Sequence, residues 1–165
     1  MWIERLDTRH ALDYRALMLE AYDRHPQAFT SSVRERAAMP LSWWASRLSS
    51  QLDVVLGAFE DGTLAGIVGL AFDPREKARH KATLFGLYVS GNVRQRGLGF
   101  ELVQAALAEA QNRAGLRLIQ LTVTAGNDAA FKLYQRSGFV QFGLEPMAVR
   151  VGEEYFDKLH MWRQV

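Results

Sequence analysis

Arg94, Gln95, Arg96, Gly97, Leu98 and Gly99 form one run between the apolar stretch Leu84–Val89 and the start of a helical pattern. Two arginines beside two glycines are the parts of an anion cradle. A helix start leaves several backbone N–H groups without internal partners and adds the positive end of the helix dipole. Glycine removes the Cβ that would keep a phosphate away from the main chain. Arginine adds charge-assisted donors. The same run has a plainer reading, because strand-to-helix turns also carry glycine for steric reasons, and the local pattern does not choose between the two.

Spacing excludes two other phosphate sites. A dinucleotide fingerprint needs glycine where Leu102 stands, and a P-loop needs a Gly-Lys-Ser/Thr ending. The absence of cysteine excludes disulfides, a thiolate nucleophile and cysteine-ligated zinc. His10, His25, His80 and His160 stand far apart without ligand spacing, so no metal is expected. A net charge of +2 suits one small anionic ligand. With no basic helix and no basic–aromatic interleaving, no nucleic-acid partner is expected. Glu4, Arg5 and Asp7 interrupt the N-terminus, which reads as no signal peptide. The apolar runs are of strand length, so no membrane partner is expected and a cytoplasmic location is the default.

The elements that must position these residues follow from periodicity and punctuation. With 165 residues, 48% of them hydrophobic and 23% charged, the chain is expected to form a single domain with a sizeable core. Trp2–Leu6 reads as a strand. Asp7 or Thr8 caps a helix reaching Arg24, and His25-Pro26 breaks it. Gln27–Met39 reads as a polar loop. Pro40 opens a second helix with Ser42 as its cap; Trp43 and Trp44 there serve packing or a binding platform. Asp53–Glu60 and Thr63–Phe72 are strands joined by the hairpin turn Asp61-Gly62. Arg75–His80 reads as a solvated turn, with substrate steering the alternative.

Lys81–Val89 is the next strand, and Gly97–Ala114 is a helix with Leu98, Leu102, Val103, Ala106, Leu107 and Ala110 on one face. Leu116–Val123 carries apolar groups on both faces, as a central strand does. Asn127-Asp128 caps a helix over Ala129–Ser137, stopped by Gly138. Phe139–Phe142 and Met147–Val151 are β-like, parted by Gly143 and Pro146, and Tyr155–Arg163 is the last strand. The order is β α α β β β α β α β β, an α/β chain with a mixed sheet.

In that order, and in two motifs, the chain resembles the GNAT superfamily of N-acetyltransferases across nearly its whole length. The first motif is similar to the family's Arg/Gln-x-x-Gly-x-Gly/Ala pyrophosphate loop, here Arg94 to Gly99 after Leu87-Tyr88-Val89. The second is Asn-x-x-Ala-x-x-x-Tyr-x-x-x-Gly-Phe, here Asn127, Ala130, Tyr134, Gly138 and Phe139. Gly91 stands where the family often has proline, and Gln95 where it often has glycine. Both residues present keep the backbone N–H.

The resemblance implies a mixed, mainly antiparallel central sheet with helices on both faces, and one N-acetyltransferase domain over residues 1–165. It implies transfer of an acetyl group from acetyl-CoA to a primary amine of a small molecule or peptide, by direct attack in a ternary complex. The alternative is a catalytically silent acyl-CoA-binding or sensing module. The implied donor site comprises Leu87, Tyr88, Val89, Arg94, Gln95, Arg96, Gly97, Leu98, Gly99, Phe100, Asn127 and Ala130. In this picture Leu116–Val123 splays from the preceding strand to open a slot. Tyr134 is the implied proton donor to the departing thiolate, and Lys132 and Arg136 could meet the outer phosphate.

No carboxylate lies on Lys81–Val89, so the base stays open among Glu35, Glu145, Glu154, His160 and a water relay. The acceptor region would draw on Tyr22, Phe29, Ser31, Ser32, Trp43, Trp44 and Tyr155. A homodimer is possible through the final strands.

Overall fold

The computed structural model describes residues 1–91, 93 and 97–165. Arg94, Gln95 and Arg96 therefore lie outside the described residues. Seven strands form one sheet: β1 (Trp2–Arg5), β2 (Asp53–Glu60), β3 (Thr63–Phe72), β4 (Lys81–Val89), β5 (Leu118–Thr124), β6 (Val140–Val151) and β7 (Glu154–Gln164). Their spatial order is β1-β2-β3-β4-β5-β7-β6. Every neighbouring pair is antiparallel except β4 and β5, which run parallel. The expected mixed, mainly antiparallel sheet is what forms.

Among the described residues five α-helices flank it: α1 (Ala11–Arg24), α2 (Val33–Ala37), α3 (Leu41–Ser49), α4 (Leu98–Gln111) and α5 (Asp128–Arg136). One face is covered by α4, whose Leu98, Leu102, Val103, Ala106 and Leu107 pack on Leu56, Val68, Leu84 and Ile119. The other is covered by α1 and α3, which place Tyr14, Leu17, Met18, Trp44 and Leu48 against Val55, Phe59, Ile67 and Tyr88. β2 and β3 are buried along almost their whole length because both faces are covered.

Three local readings need correction. Gln27–Met39 is not all loop. Ser32 Oγ accepts from Glu35 N at 3.1 Å while Ser32 N donates to Glu35 Oε1 at 3.3 Å, a reciprocal cap that nucleates α2. A Ser-x-x-Glu cap needs no apolar run after it, so periodicity missed this helix. Ser42 caps nothing, since α3 begins at Leu41 with Pro40 as the preceding cap residue. The third concerns β6, which runs unbroken through Gly143 and Pro146, with its irregularities between Gln141 and Gly143 and between Glu145 and Val149. It is the edge strand, where a residue without an N–H costs no ladder bond.

Among the described residues no helix is long and apolar enough to cross a membrane, and no cluster of histidine and carboxylates could hold a metal ion.

Candidate active site

The site starts from an irregularity in β4. Ile67 pairs with Tyr88 and Gly69 with Phe85, so Gly86 and Leu87 together oppose the single residue Val68. Gly86 takes φ +66°, a left-handed conformation that glycine adopts without steric cost. Such a bulge bends its strand and ends regular pairing. Accordingly, β4 and β5 pair only at Lys81–Leu118, Ala82–Ile119 and Thr83–Gln120. From Leu84 onward the two strands share no ladder pair among the described residues, and a slot opens between them.

Two cavities occupy this slot. The first, about 650 Å³, is lined by Leu87, Tyr88 and Val89 of β4, by Gly97, Gly99 and Phe100 at the start of α4, and by Asn127 and Ala130 of the α5 turn. Arg136 stands at its wall with its guanidinium carbon 4.5 Å from the centre of the Phe100 ring. The second, about 550 Å³, lies among α1, α2, α3, β4 and β7 and includes Tyr134. Leu87, Thr124, Asn127, Ala130, Ala28 and Phe29 line both, so the cavities meet at the splayed edge. Thr124 Oγ1 donates to the Gln27 carbonyl at 2.8 Å, which ties the Ala28–Phe29 wall to β5.

Local chemistry explains the wall of the first cavity. Gly97 precedes α4 with φ +73° and nothing within 4 Å of where a Cβ would sit. A Cβ on Gly99 would lie 3.1 Å from Leu133 Cδ1, so this glycine also lets α4 approach α5 closely. Leu98 lines neither cavity; its side chain is fully buried in the core, which leaves its main chain at the helix start. Asn127 caps α5, its Oδ1 accepting from Ala130 N at 3.3 Å. Tyr88 reaches α1, where its hydroxyl donates to Glu20 Oε2 at 2.7 Å.

Tyr134 projects from α5 and packs edge-on against Phe139 at 5.9 Å between ring centres. Burial pushes its phenol well above the usual tyrosine value. In the second cavity, burial raises Tyr14 to about 12 and also raises Tyr22, while the Arg47 and Arg36 guanidiniums pull the other way.

The residues proposed as bases are elsewhere. Glu35 is spent on the α2 cap. His160 Nε2 and Glu145 Oε1 pair with each other at 2.9 Å on β7 and β6. Glu154 opens β7 on the surface. None of the four lines either cavity, and no carboxylate lines the second among the described residues.

Of the expected acceptor residues, Tyr22, Phe29, Ser31, Trp43 and Trp44 line that cavity, whereas Ser32 and Tyr155 do not. Lys132 lines neither cavity. The Arg75–His80 run lines neither as well, and Arg75 there pairs with Asp73 at 2.6 Å. Sequence reasoning missed Gly86, Arg36, Arg47, Phe85 and Lys158. Only Gly86 carried a local signal, a glycine inside a strand. The others come from four separate elements.

Comparison with known proteins agrees with this architecture. The sequence pattern of the acetyltransferase (GNAT) family matches residues 15–139. The L-amino acid N-acetyltransferase AaaT of Escherichia coli is 30% identical over 122 residues, 73% of this chain and 74% of that protein. A GNAT-family acetyltransferase of Streptococcus pneumoniae superposes with TM-score 0.88 at 27% identity, covering 99% of this chain and 98% of the other. The yncA structure from Salmonella typhimurium, solved with its cofactor acetyl-CoA, has TM-score 0.82 at 21% identity and covers 99% and 93%. The chain belongs to the GNAT acetyltransferase family and is an acetyltransferase.

Proposed function

We propose that the protein transfers an acetyl group from acetyl-CoA to a primary amine by direct attack in a ternary complex, with residues 1–165 acting as one N-acetyltransferase domain. The observation that carries this reading is the meeting of two cavities at the splayed β4–β5 edge. A donor and an acceptor entering from opposite sides would meet beside Leu87, Asn127 and Ala130.

The first cavity fits an acyl-CoA arm on its own features. It runs along a strand edge that has left its parallel neighbour, and an amide-bearing chain can pair with such an edge as an added strand would. It ends at the N-terminus of α4, where Gly97 and Gly99 keep the main chain accessible. Leu87, Tyr88, Val89, Gly97, Leu98 through its main chain, Gly99, Phe100, Asn127 and Ala130 would hold the arm. Arg94, Gln95 and Arg96 keep the pyrophosphate role that the resemblance gives them.

The thioester supplies the acyl group and a thiolate leaving group. Tyr134 holds a proton on its phenol at neutral pH, because burial disfavours the phenolate. Its hydroxyl gives that proton to the departing sulfur. Arg36, Arg47 and Lys158 disfavour an ammonium in the second cavity by like-charge repulsion. The neutral amine is thereby favoured without a carboxylate base, and the proton it sheds on forming the amide passes through water to the Tyr134 oxygen, which restores the phenol.

The test is a thermal melt with coenzyme A followed by thiol release in an amine panel. Coenzyme A at 100 times its Kd should stabilise the fold by about 2.7 kcal/mol, and a suitable amine should then release thiol. An unmoved melting temperature would remove the donor reading. A clear shift with no thiol release from any amine would leave the silent binding module.

A further inference from the structure

The charged residues that line the second cavity are cationic. Arg36, Arg47 and Lys158 line it, and no aspartate or glutamate does among the described residues. Among the described residues neither guanidinium forms a salt bridge; Arg36 meets the neutral phenol of Tyr22 and Arg47 that of Tyr14, whereas Arg9 pairs with Asp7 and Arg75 with Asp73. Arg36 Nε is buried and has no hydrogen-bond partner. Lys158 Nζ donates to Thr30 Oγ1, a neutral hydroxyl, and Glu145, which stands opposite Lys158 on β6, pairs with His160 instead.

The rest of the wall keeps these cations in place. The Arg36 guanidinium carbon sits 4.5 Å from the centre of the Trp43 ring, and that of Arg47 sits 6.0 Å from it. Arg47 also lies 4.6 Å from the Phe85 ring centre. Stacking on an aromatic face orients a guanidinium while leaving its edge donors available. Both guanidiniums approach the Trp43 ring, and both line the cavity together with Tyr22. Tyr22 itself is held edge-on to Phe29 at 5.2 Å.

Two like charges held together with a buried unpaired donor are unfavourable until an anion joins them. We infer that the acceptor carries a small oxyanion next to its primary amine, a carboxylate or its phosphonate or phosphinate equivalent, gripped by Arg36 and Arg47. Planar, forked guanidiniums suit that group bidentately. Lys158, on β7 opposite Thr124 of the junction, adds positive field near the amine end. Tyr22, Phe29, Trp43 and Phe85 take an apolar body between the two ends. Polycationic acceptors are disfavoured by the same three charges.

This inference rests on the acetyltransferase reading of the same slot, and the experiment separates the two. L-amino acids are tested beside their amides, their decarboxylated amines and their aminophosphonate analogues, with spermidine as the polycation, by thiol release from acetyl-CoA. Binding of the same compounds to the CoA-loaded protein is measured by calorimetry.

At least one amino acid should exceed its amide and its decarboxylated amine by 100-fold or more in kcat/KM and should bind measurably, whereas they should not. The aminophosphonate arm tells whether the grip is for a planar or a tetrahedral oxyanion. Arg36→Gln and Arg47→Gln should each raise KM for the acid at least 10-fold and leave KM for acetyl-CoA within a few-fold. Arg47→Lys should recover part of the loss. Circular dichroism of each variant guards against misfolding.

Amides or spermidine accepted as well as the acids would overturn the inference and leave the acetyltransferase reading standing. So would coenzyme A binding without binding of any acid. Failure of coenzyme A to bind would overturn both.

Discussion

In the proposed reaction one side chain, Tyr134, serves both core and chemistry. Its ring is part of the main hydrophobic cluster, packed on Phe139, while its residue also borders the second cavity. Removing only the hydroxyl should therefore spare the fold and damage the reaction. Tyr134→Phe is expected to lower kcat by about 10²–10⁴-fold, the usual range for general acid–base groups. KM for acetyl-CoA and the melting temperature should stay close to wild type. Steady-state kinetics with one good acceptor check this, and an unchanged kcat would show that sulfur is protonated by another route. Because the phenol is raised by burial, Tyr134 should add no limb to the rate profile below pH 10.

At the scale of elements, the slot depends on the bulge in β4. Gly86 sits at φ +66°, and a Cβ there would find its nearest neighbour, Met18 Cε, at 3.8 Å. Space is therefore adequate, and Gly86→Ala should suffer almost only the left-handed backbone penalty, about 1–2 kcal/mol. Urea denaturation should show that loss. If the bulge relaxes into regular β pairing instead, β4 will follow β5 further and KM for acetyl-CoA will rise. A variant as stable and active as wild type would mean that the bulge is not what opens the slot.

Helix signals were unevenly legible. The apolar stripe of α4 and the Asn127 cap of α5 could be read from periodicity and capping chemistry. The short helix α2 was hidden from periodicity because none of its residues is buried, and its one signal along the chain is the Ser32–Glu35 capping box. That helix carries Arg36, so the loop reading of Gln27–Met39 also hid one wall of the candidate acceptor cavity.

For the whole molecule, the buried phenols set an alkaline limit. Tyr14 and Tyr134 are both raised by burial, Tyr14 to about 12. Unfolded, each would titrate near 10. Above that pH the unfolded chain releases protons that the folded chain still holds, so unfolding becomes easier as pH rises. Their contribution is complete below pH 10 and fades toward the folded values, at roughly 1.4 kcal/mol for each unit of elevation. Denaturation midpoints from pH 8 to 11 should be flat at first and then fall. Tyr14→Phe should make that fall shallower; an identical slope would show that Tyr14 ionises freely in the folded protein.

What could be read along the chain was what neighbours in sequence decide. Glycines at 97 and 99, the Asn127-to-Phe139 motif, the hairpin turn at Asp61-Gly62 and the order of elements all depend on residues within a turn or two of one another. Those features carry the donor half of the proposed reaction. The acceptor half belongs to the tertiary structure. Tyr22, Arg36, Arg47, Phe85 and Lys158 sit on α1, α2, α3, β4 and β7, and no periodicity relates them. In sequence each arginine reads as an ordinary solvated charge. Only packing of the helices over a sheet opened at Gly86 brings the three cations around one cavity with no carboxylate among its described lining residues, and charge felt through space has no signature along the chain.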